Sequence, residues 1–122
     1  MAKLVILITA QVEQVHQIGE AWHRTGAPGI TVIEGFGLQS LKDLTASAEV
    51  LPGALSLLEI MRENEPTSMV LLTLVEDGAM IDNLLRETEA ILGDLRTPNN
   101  GIFFAIDIER AIGIQHHGQA HE

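Results

Sequence analysis

Apolar and polar positions follow two rhythms along this chain. Residues 3–9 form a near-continuous apolar run rich in β-branched side chains, the pattern of a strand covered on both faces. Val12, Val15, Ile18, Ala21 and Trp22 then recur at helical spacing, which predicts an amphipathic helix over 11–25. Gly26-Ala27-Pro28-Gly29 stops it, because proline cannot continue a helix and glycine admits positive φ. A second strand is predicted over 30–34, closed by Gly35-Phe36-Gly37. A third apolar strand covers 69–75. Asp77 then stands where an N-cap is needed for a helix over 78–95, with Ile81, Leu84, Leu85, Thr88, Leu92 and Leu95 on one face. The turn cluster Thr97-Pro98-Asn99-Asn100-Gly101 precedes a fourth strand over 102–108, and 111–114 reads as a short fifth.

The stretch 39–67 departs from this regular plan. Pro52 suits a first helical turn, and Leu51, Ala54, Leu55, Leu58 and Met61 make an apolar stripe at spacings of three and four. Glu59, Arg62, Glu63 and Glu65 supply a polar side, so a helix is predicted over 51–63, ended by Asn64-Glu65-Pro66-Thr67. That stripe reads as core, with exposed docking as the other reading. The element order becomes β-α-β-(α)-β-α-β. Two split crossover units of this kind give an α+β, ferredoxin-like βαββαβ sandwich with an extra helix inserted between strands two and three. The whole of 1–122 reads as one domain, with 39–67 as the insertion and 115–122 as a polar, frayed tail. A sheet covered by helices on one side alone should alternate apolar and polar residues. Strands one, three and four are instead apolar nearly throughout, which predicts that the open sheet face is covered by self-association.

Composition narrows the function. Seven Lys+Arg stand against 17 Asp+Glu, a net charge of −10, so the chain lacks the basic footprint of a nucleic-acid binder and repels anionic membranes. There is no cysteine, which removes disulfides, thiolate metal sites and cysteine nucleophiles together. The apolar run after Lys3 has the flavour of a signal peptide. It is short, no small-x-small cleavage site follows and Glu13 arrives early, so it reads as a buried strand in a cytoplasmic protein with no membrane insertion.

Two runs of residues carry a family resemblance. Gly29-Ile30-Thr31-Val32-Ile33-Glu34-Gly35-Phe36-Gly37-Leu38-Gln39 resembles the second strand and following turn of the PII nitrogen-regulatory signalling proteins. Gly101-Ile102-Phe103-Phe104-Ala105-Ile106-Asp107-Ile108-Glu109 resembles that family's fourth strand, and Arg96-Thr97 resembles the end of its second helix. The resemblance covers 3–39 and 69–115 and suggests a divergent PII-like protein. It implies a homotrimer of ferredoxin-like subunits with clefts between them that hold an adenine nucleotide or small metabolite. It also implies a protein partner, a membrane transporter or a regulatory enzyme, met by the segment after strand two. By position, Thr31 would contact a base edge, Gly35, Gly37 and Gln39 would line the cleft, and Gly101 would offer backbone N–H groups to phosphates. The chain departs from the family where cations are expected: Val70, Ile102, Gly113 and Gln115 stand at those positions. No cofactor is therefore firmly implied, and ATP in particular is expected to bind weakly. There is no tyrosine, so the segment after strand two cannot be modified on one.

Other constellations are less specific. His116, His117 and His121 have metal-ligand chemistry but sit in a polar tail, so no metal site is assigned. His16 and His23, seven apart on a helix, are too widely spaced for one ion. Glu63, Glu65, Glu76 and Asp77 read as solvated carboxylates, and Ser40, Thr45 and Ser47 lack the context of a nucleophile. No catalytic residue is assigned and no enzyme is expected. The alternatives are a trimeric relative of the divalent-cation tolerance proteins and a small ferredoxin-like α/β-barrel enzyme.

Overall fold

The computed structural model describes residues 1–47 and 54–114. β1 (Lys3–Thr9) runs into a single 3-10 turn at Val12–Gln14 and then α1 (Val15–Thr25). β2 (Ile30–Gly35), α2 (Leu38–Ser47), α3 (Ala54–Glu63) and β3 (Ser68–Val75) follow, and α4 (Gly78–Leu92) and β4 (Ile102–Asp107) complete the chain. The four strands form one antiparallel sheet in the order β2-β3-β1-β4. Each crossover helix therefore connects strands that have another strand between them, and the two halves interleave into the expected ferredoxin-like sandwich.

The core lies between one face of the sheet and the helices α1 and α4. Val5 and Leu7 of β1 and Leu71 and Val75 of β3 meet Ile18 and Trp22 of α1 and Leu84 and Leu92 of α4. Phe103 of β4 meets the Trp22 ring edge-on at 6.3 Å. The Trp22 indole N–H donates to the Thr88 hydroxyl at 2.9 Å, and that hydroxyl donates to the Leu84 carbonyl at 2.7 Å. The two helices are thus joined by a buried polar link with neither donor left over. Asp77 caps α4 as expected, its carboxylate accepting from the Met80 N–H at 3.1 Å. Gly26, at φ 114°, stops α1 in the left-handed region.

Several boundaries differ from the sequence reading. The first helical segment opens as a 3-10 turn, with α-helix only from Val15. The 78–95 helix ends at Leu92, because the next turn takes its hydrogen bonds from side chains: Glu89 accepts from the Leu95 N–H and Asp94 from the Arg96 N–H. The short strand over 111–114 does not form. Gly113 turns to φ 97°, and among the described residues the last backbone bond at this end runs from the Ile108 N–H to the Ala2 carbonyl.

The insertion holds two helices where one was expected. α2 starts as Gly37 accepts from the Leu41 N–H at 3.0 Å, and a Gln39–Asp43 side-chain bond at 3.0 Å reinforces it. Leu51 and Pro52 lie outside the described residues, as does the 115–122 tail with His116, His117 and His121. Of the expected core stripe, Leu51 and the side chains of Ala54 and Leu55 lie outside what is described, Leu58 is exposed and Met61 is half-buried. Ile60 is buried, whereas Leu58 is 46% exposed beside exposed Glu59 and Arg62. Leu58→Asp is accordingly expected to shift stability by no more than about 0.5 kcal/mol, measurable as a nearly unchanged melting temperature.

The second face of the sheet is apolar, as the strand patterns predicted. The register lines up Leu74, Leu4 and Ile106 in one row, and Thr31, Leu72, Ile6 and Phe104 in the next. The third row is Ile33, Val70, Ile8 and Ile102. Within the subunit this face is uncovered enough to leave Ile102 61% and Ile33 46% exposed.

Candidate functional site

The residues singled out by sequence fall into two groups on opposite edges of the sheet. Thr31 and Gly35 lie on edge strand β2, opposite Leu72 and Ser68 of β3. The chain then turns into α2, and Thr67 fastens that turn. Its N–H donates to the Gly35 carbonyl at 3.0 Å, while its hydroxyl accepts from the Gly37 N–H at 2.7 Å. A side chain at Gly35 would press on the Ser68 hydroxyl at 3.1 Å. Gln39 is exposed in the first turn of α2, with its amide on Asp43. Thr31, Gly35, Gly37 and Gln39 therefore share one edge and its adjoining turn.

Gly101 stands at the far edge, immediately before β4. Its φ is 141°, and a Cβ there would come within 2.9 Å of the Ile8 carbonyl oxygen. Only glycine fits that backbone. The turn leading to it is heavily anchored. The Asn100 carbonyl accepts from the Thr9 hydroxyl at 3.1 Å, and the Asn100 amide donates to the Asp94 carbonyl at 2.8 Å. Three strand spacings separate β2 from β4, roughly 14 Å at about 4.8 Å per step. One subunit does not bring the two groups together.

Each edge also carries a groove between its strand and the overlying helix. The larger, about 720 Å³, lies between α1 and β2. Val12, Val15, Ile30, Val32 and Met69 give it an apolar floor, and His16, His23 and Arg24 stand on its rim. His16 is tied to Glu20 of the same helix at 3.0 Å. The groove at the β4 edge, about 380 Å³, is lined by Leu85, Glu89, Leu95, Arg96, Gly101, Ile102 and Phe103. Sequence reading passed over both grooves. Val32 and Arg96 fall in the runs that carry the family resemblance, but nothing in their spacing marks a groove, which depends on edge strands that α1 and α4 do not fully cover.

The expected loss of cations is visible in space. Val70 and Ile102 occupy the same open-face row, flanking Ile8 from either side, and no charged side chain stands in that row. Lys3 is paired with Asp107, and Arg86 donates to Asn83 at 3.3 Å. Among the described residues, no group of three or more His, Asp or Glu side chains is placed to hold a metal ion. None of the described helices is long and apolar enough to cross a membrane.

No family model and no curated protein matches the sequence. Solved structures do match its fold. B. subtilis GlnK in complex with ATP aligns over 88% of this chain and 81% of its own, at 12% identity and a TM-score of 0.53. CPII from Thiomonas intermedia K12, bound to ADP and bicarbonate, aligns over 88% and 85%, at 16% identity and a TM-score of 0.52. The chain has the fold of the PII/GlnK signalling proteins, as the two sequence runs suggested.

Proposed function

We propose that this protein is a non-catalytic, PII-like regulator. It assembles as a homotrimer, takes an adenine nucleotide or similar small metabolite in clefts between subunits, and signals the occupancy to a protein partner in the cytoplasm. The observation that carries the reading is the division of the candidate site. Thr31, Gly35, Gly37 and Gln39 lie on one edge of a PII/GlnK-type sheet and Gly101 on the other, which supports a site shared between copies. Nucleotides bound to two proteins of the same fold support the choice of ligand. The α2–α3 insertion, with Leu58 exposed, is the surface we assign to the partner, a transporter or a regulatory enzyme.

The ligand should carry little charge. Each charge-assisted hydrogen bond to phosphate is worth roughly 1.5–3 kcal/mol, and the apolar residues at Val70 and Ile102 supply none. Calorimetry with AMP, ADP and ATP, run beside light scattering, tests both halves of the reading. The expected result is a trimer that binds AMP or ADP more tightly than ATP. Submicromolar ATP binding would show that cations reach the cleft from elsewhere, and a stable folded monomer that binds no nucleotide would end the proposal.

A further inference from the structure

Independently of the nucleotide reading above, we infer that the groove between α1 and β2 binds an acyl carboxylate, a flexible apolar chain ending in one negative charge. The groove lies on the helix side of the sheet. Ile30 and Val32 line it, whereas Thr31 and Ile33 alternate onto the open face.

The groove exists because α1 stops short of the sheet edge. Leu7, Leu71 and Val32 form one row across β1, β3 and β2. Leu7 and Leu71 are fully buried, yet Val32 is 47% exposed. Val12 and Val15 wall the groove from the helix side, and Ile30 and Met69, packed against the core, form its floor. The space is about 720 Å³, within the usual range of a small-molecule site. Gly19 widens it. This glycine lies in the middle of α1 and lines the groove, and a Cβ built on it would meet nothing within 4 Å. Glycine weakens a helix interior relative to alanine, and no close contact within the subunit requires one here. Its absent side chain leaves an apolar trough along the helix, and the unbranched Met69 side chain can adapt to a chain laid in it.

Charge sets the polarity of the occupant. β1 ends at Thr9, opposite Met69, and Met69 lies opposite Glu34. The Val12 end of the trough is therefore flanked by the exposed carboxylates Glu13 and Glu34. The other end, where the chain leaves α1 for β2, carries His23 and Arg24. Arg24 is exposed there and, among the described residues, pairs with no carboxylate. Glu20 stands on the same rim, but His16 engages it at 3.0 Å. A ligand carboxylate thus belongs at the Arg24 end, where a guanidinium can meet both its oxygens, with its chain running toward Val12 and Met69. In a chain of net charge −10 a second negative charge on the ligand is penalised, and the valine-lined trough leaves polar groups along the ligand chain without partners.

The test is calorimetry beside light scattering on the full chain, with decanoate, with decanol as the same chain uncharged and with butyrate as the same charge on a short chain. Native protein is compared with Gly19→Leu, Arg24→Gln and the control Arg86→Gln. Decanoate is expected to bind the native protein more tightly than either comparison compound. Gly19→Leu fills the trough with a better helix former, so decanoate should weaken at least about tenfold while the melting temperature does not fall. Arg24→Gln should weaken decanoate by about tenfold to a hundredfold and leave decanol unchanged, and Arg86→Gln should match the native protein. No decanoate binding by the native chain overturns the inference, as does native affinity in Gly19→Leu, which would place the ligand elsewhere. Equal losses of decanoate and decanol in Arg24→Gln overturn the assigned role of the charge. A changed oligomeric state in Gly19→Leu also overturns the inference, because a second copy of the chain would then be the occupant. Each of these failures leaves the nucleotide reading standing.

Discussion

Phe104→Glu is expected to take the proposed homotrimer apart, leaving monomers or insoluble chains. Phe104 sits opposite Ile6 on the open sheet face, midway along edge strand β4, with Ile102 and Ile106 two residues away on either side. It is 37% exposed in the subunit, so a covering copy has surface left to bury. Burying a large apolar side chain is worth about 1.5–3 kcal/mol, and the rows of this face offer many of them. A carboxylate at the same place has no described cation in its row to pair with, and an unpaired buried charge costs several kcal/mol at every copy. The substitution points away from the core that holds the subunit together, so the subunit fold itself should survive. Gln17→Glu, which adds the same charge at an exposed position on α1, serves as the control and should remain oligomeric. Sedimentation or light scattering at micromolar concentration reads the difference. A Phe104→Glu protein with native size would show that another surface holds the copies together.

The same face explains why so much of the fold could be read from sequence. In β1 and β3 the side chains under the helices are apolar apart from Thr9 and Thr73, and those on the open face are apolar too, so both strands announce themselves as near-continuous apolar runs. The crossover helices were legible for a related reason. Ile18 and Trp22, and Leu84, Thr88 and Leu92, fall at the spacing a single buried face requires. α2 lacked such a signal: it follows Gly35-Phe36-Gly37 with no proline or strong N-cap residue, and its start rests on a backbone bond to the Gly37 carbonyl. α3 was found, but Leu58, placed in its apolar stripe, is exposed. A stripe of leucines implies a core only when something lies beneath it, and the sequence does not say that Ile60 rather than Leu58 meets a neighbour.

The candidate site was legible as a set of residues and illegible as a place. Motif resemblance chose Thr31, Gly35, Gly37, Gln39 and Gly101, yet only the strand order reveals that they sit on two opposite edges. Of the five, Gly101 has the clearest physical requirement. The apolar grooves beside α1 and α4 depend on how far each helix overhangs its edge strand, which is a property of packing and leaves no mark on local spacing. Arg96 illustrates the point. It stands one residue past the helix predicted over 78–95, whereas α4 ends at Leu92 and leaves Arg96 four residues beyond it, on a turn.

Gly101→Val should destabilise the subunit by roughly 2–6 kcal/mol, combining backbone strain with overpacking. At φ 141° the residue occupies a region that side chains rarely enter, and a β-branched one least of all. The added Cβ would lie 2.9 Å from the Ile8 carbonyl oxygen and 3.4 Å from the Thr9 Cβ. Neither neighbour can yield cheaply. The Ile8 carbonyl belongs to central strand β1, which pairs with both β3 and β4, and the Thr9 hydroxyl holds the Asn100 carbonyl. Relief must therefore come from the turn, which would lift Asn100 off Thr9 and carry Arg96 and the start of β4 out of place. Two readouts follow. Chemical denaturation should show the lower stability, and ADP affinity should fall even at temperatures where the variant remains folded. Val32→Ala, on the opposite edge, removes part of an exposed side chain and should cost far less by the first measurement. A Gly101→Val protein as stable as the native chain would mean that the turn relaxes freely, and the anchoring by Thr9, Asp94 and Asn100 would then not be what fixes this half of the cleft.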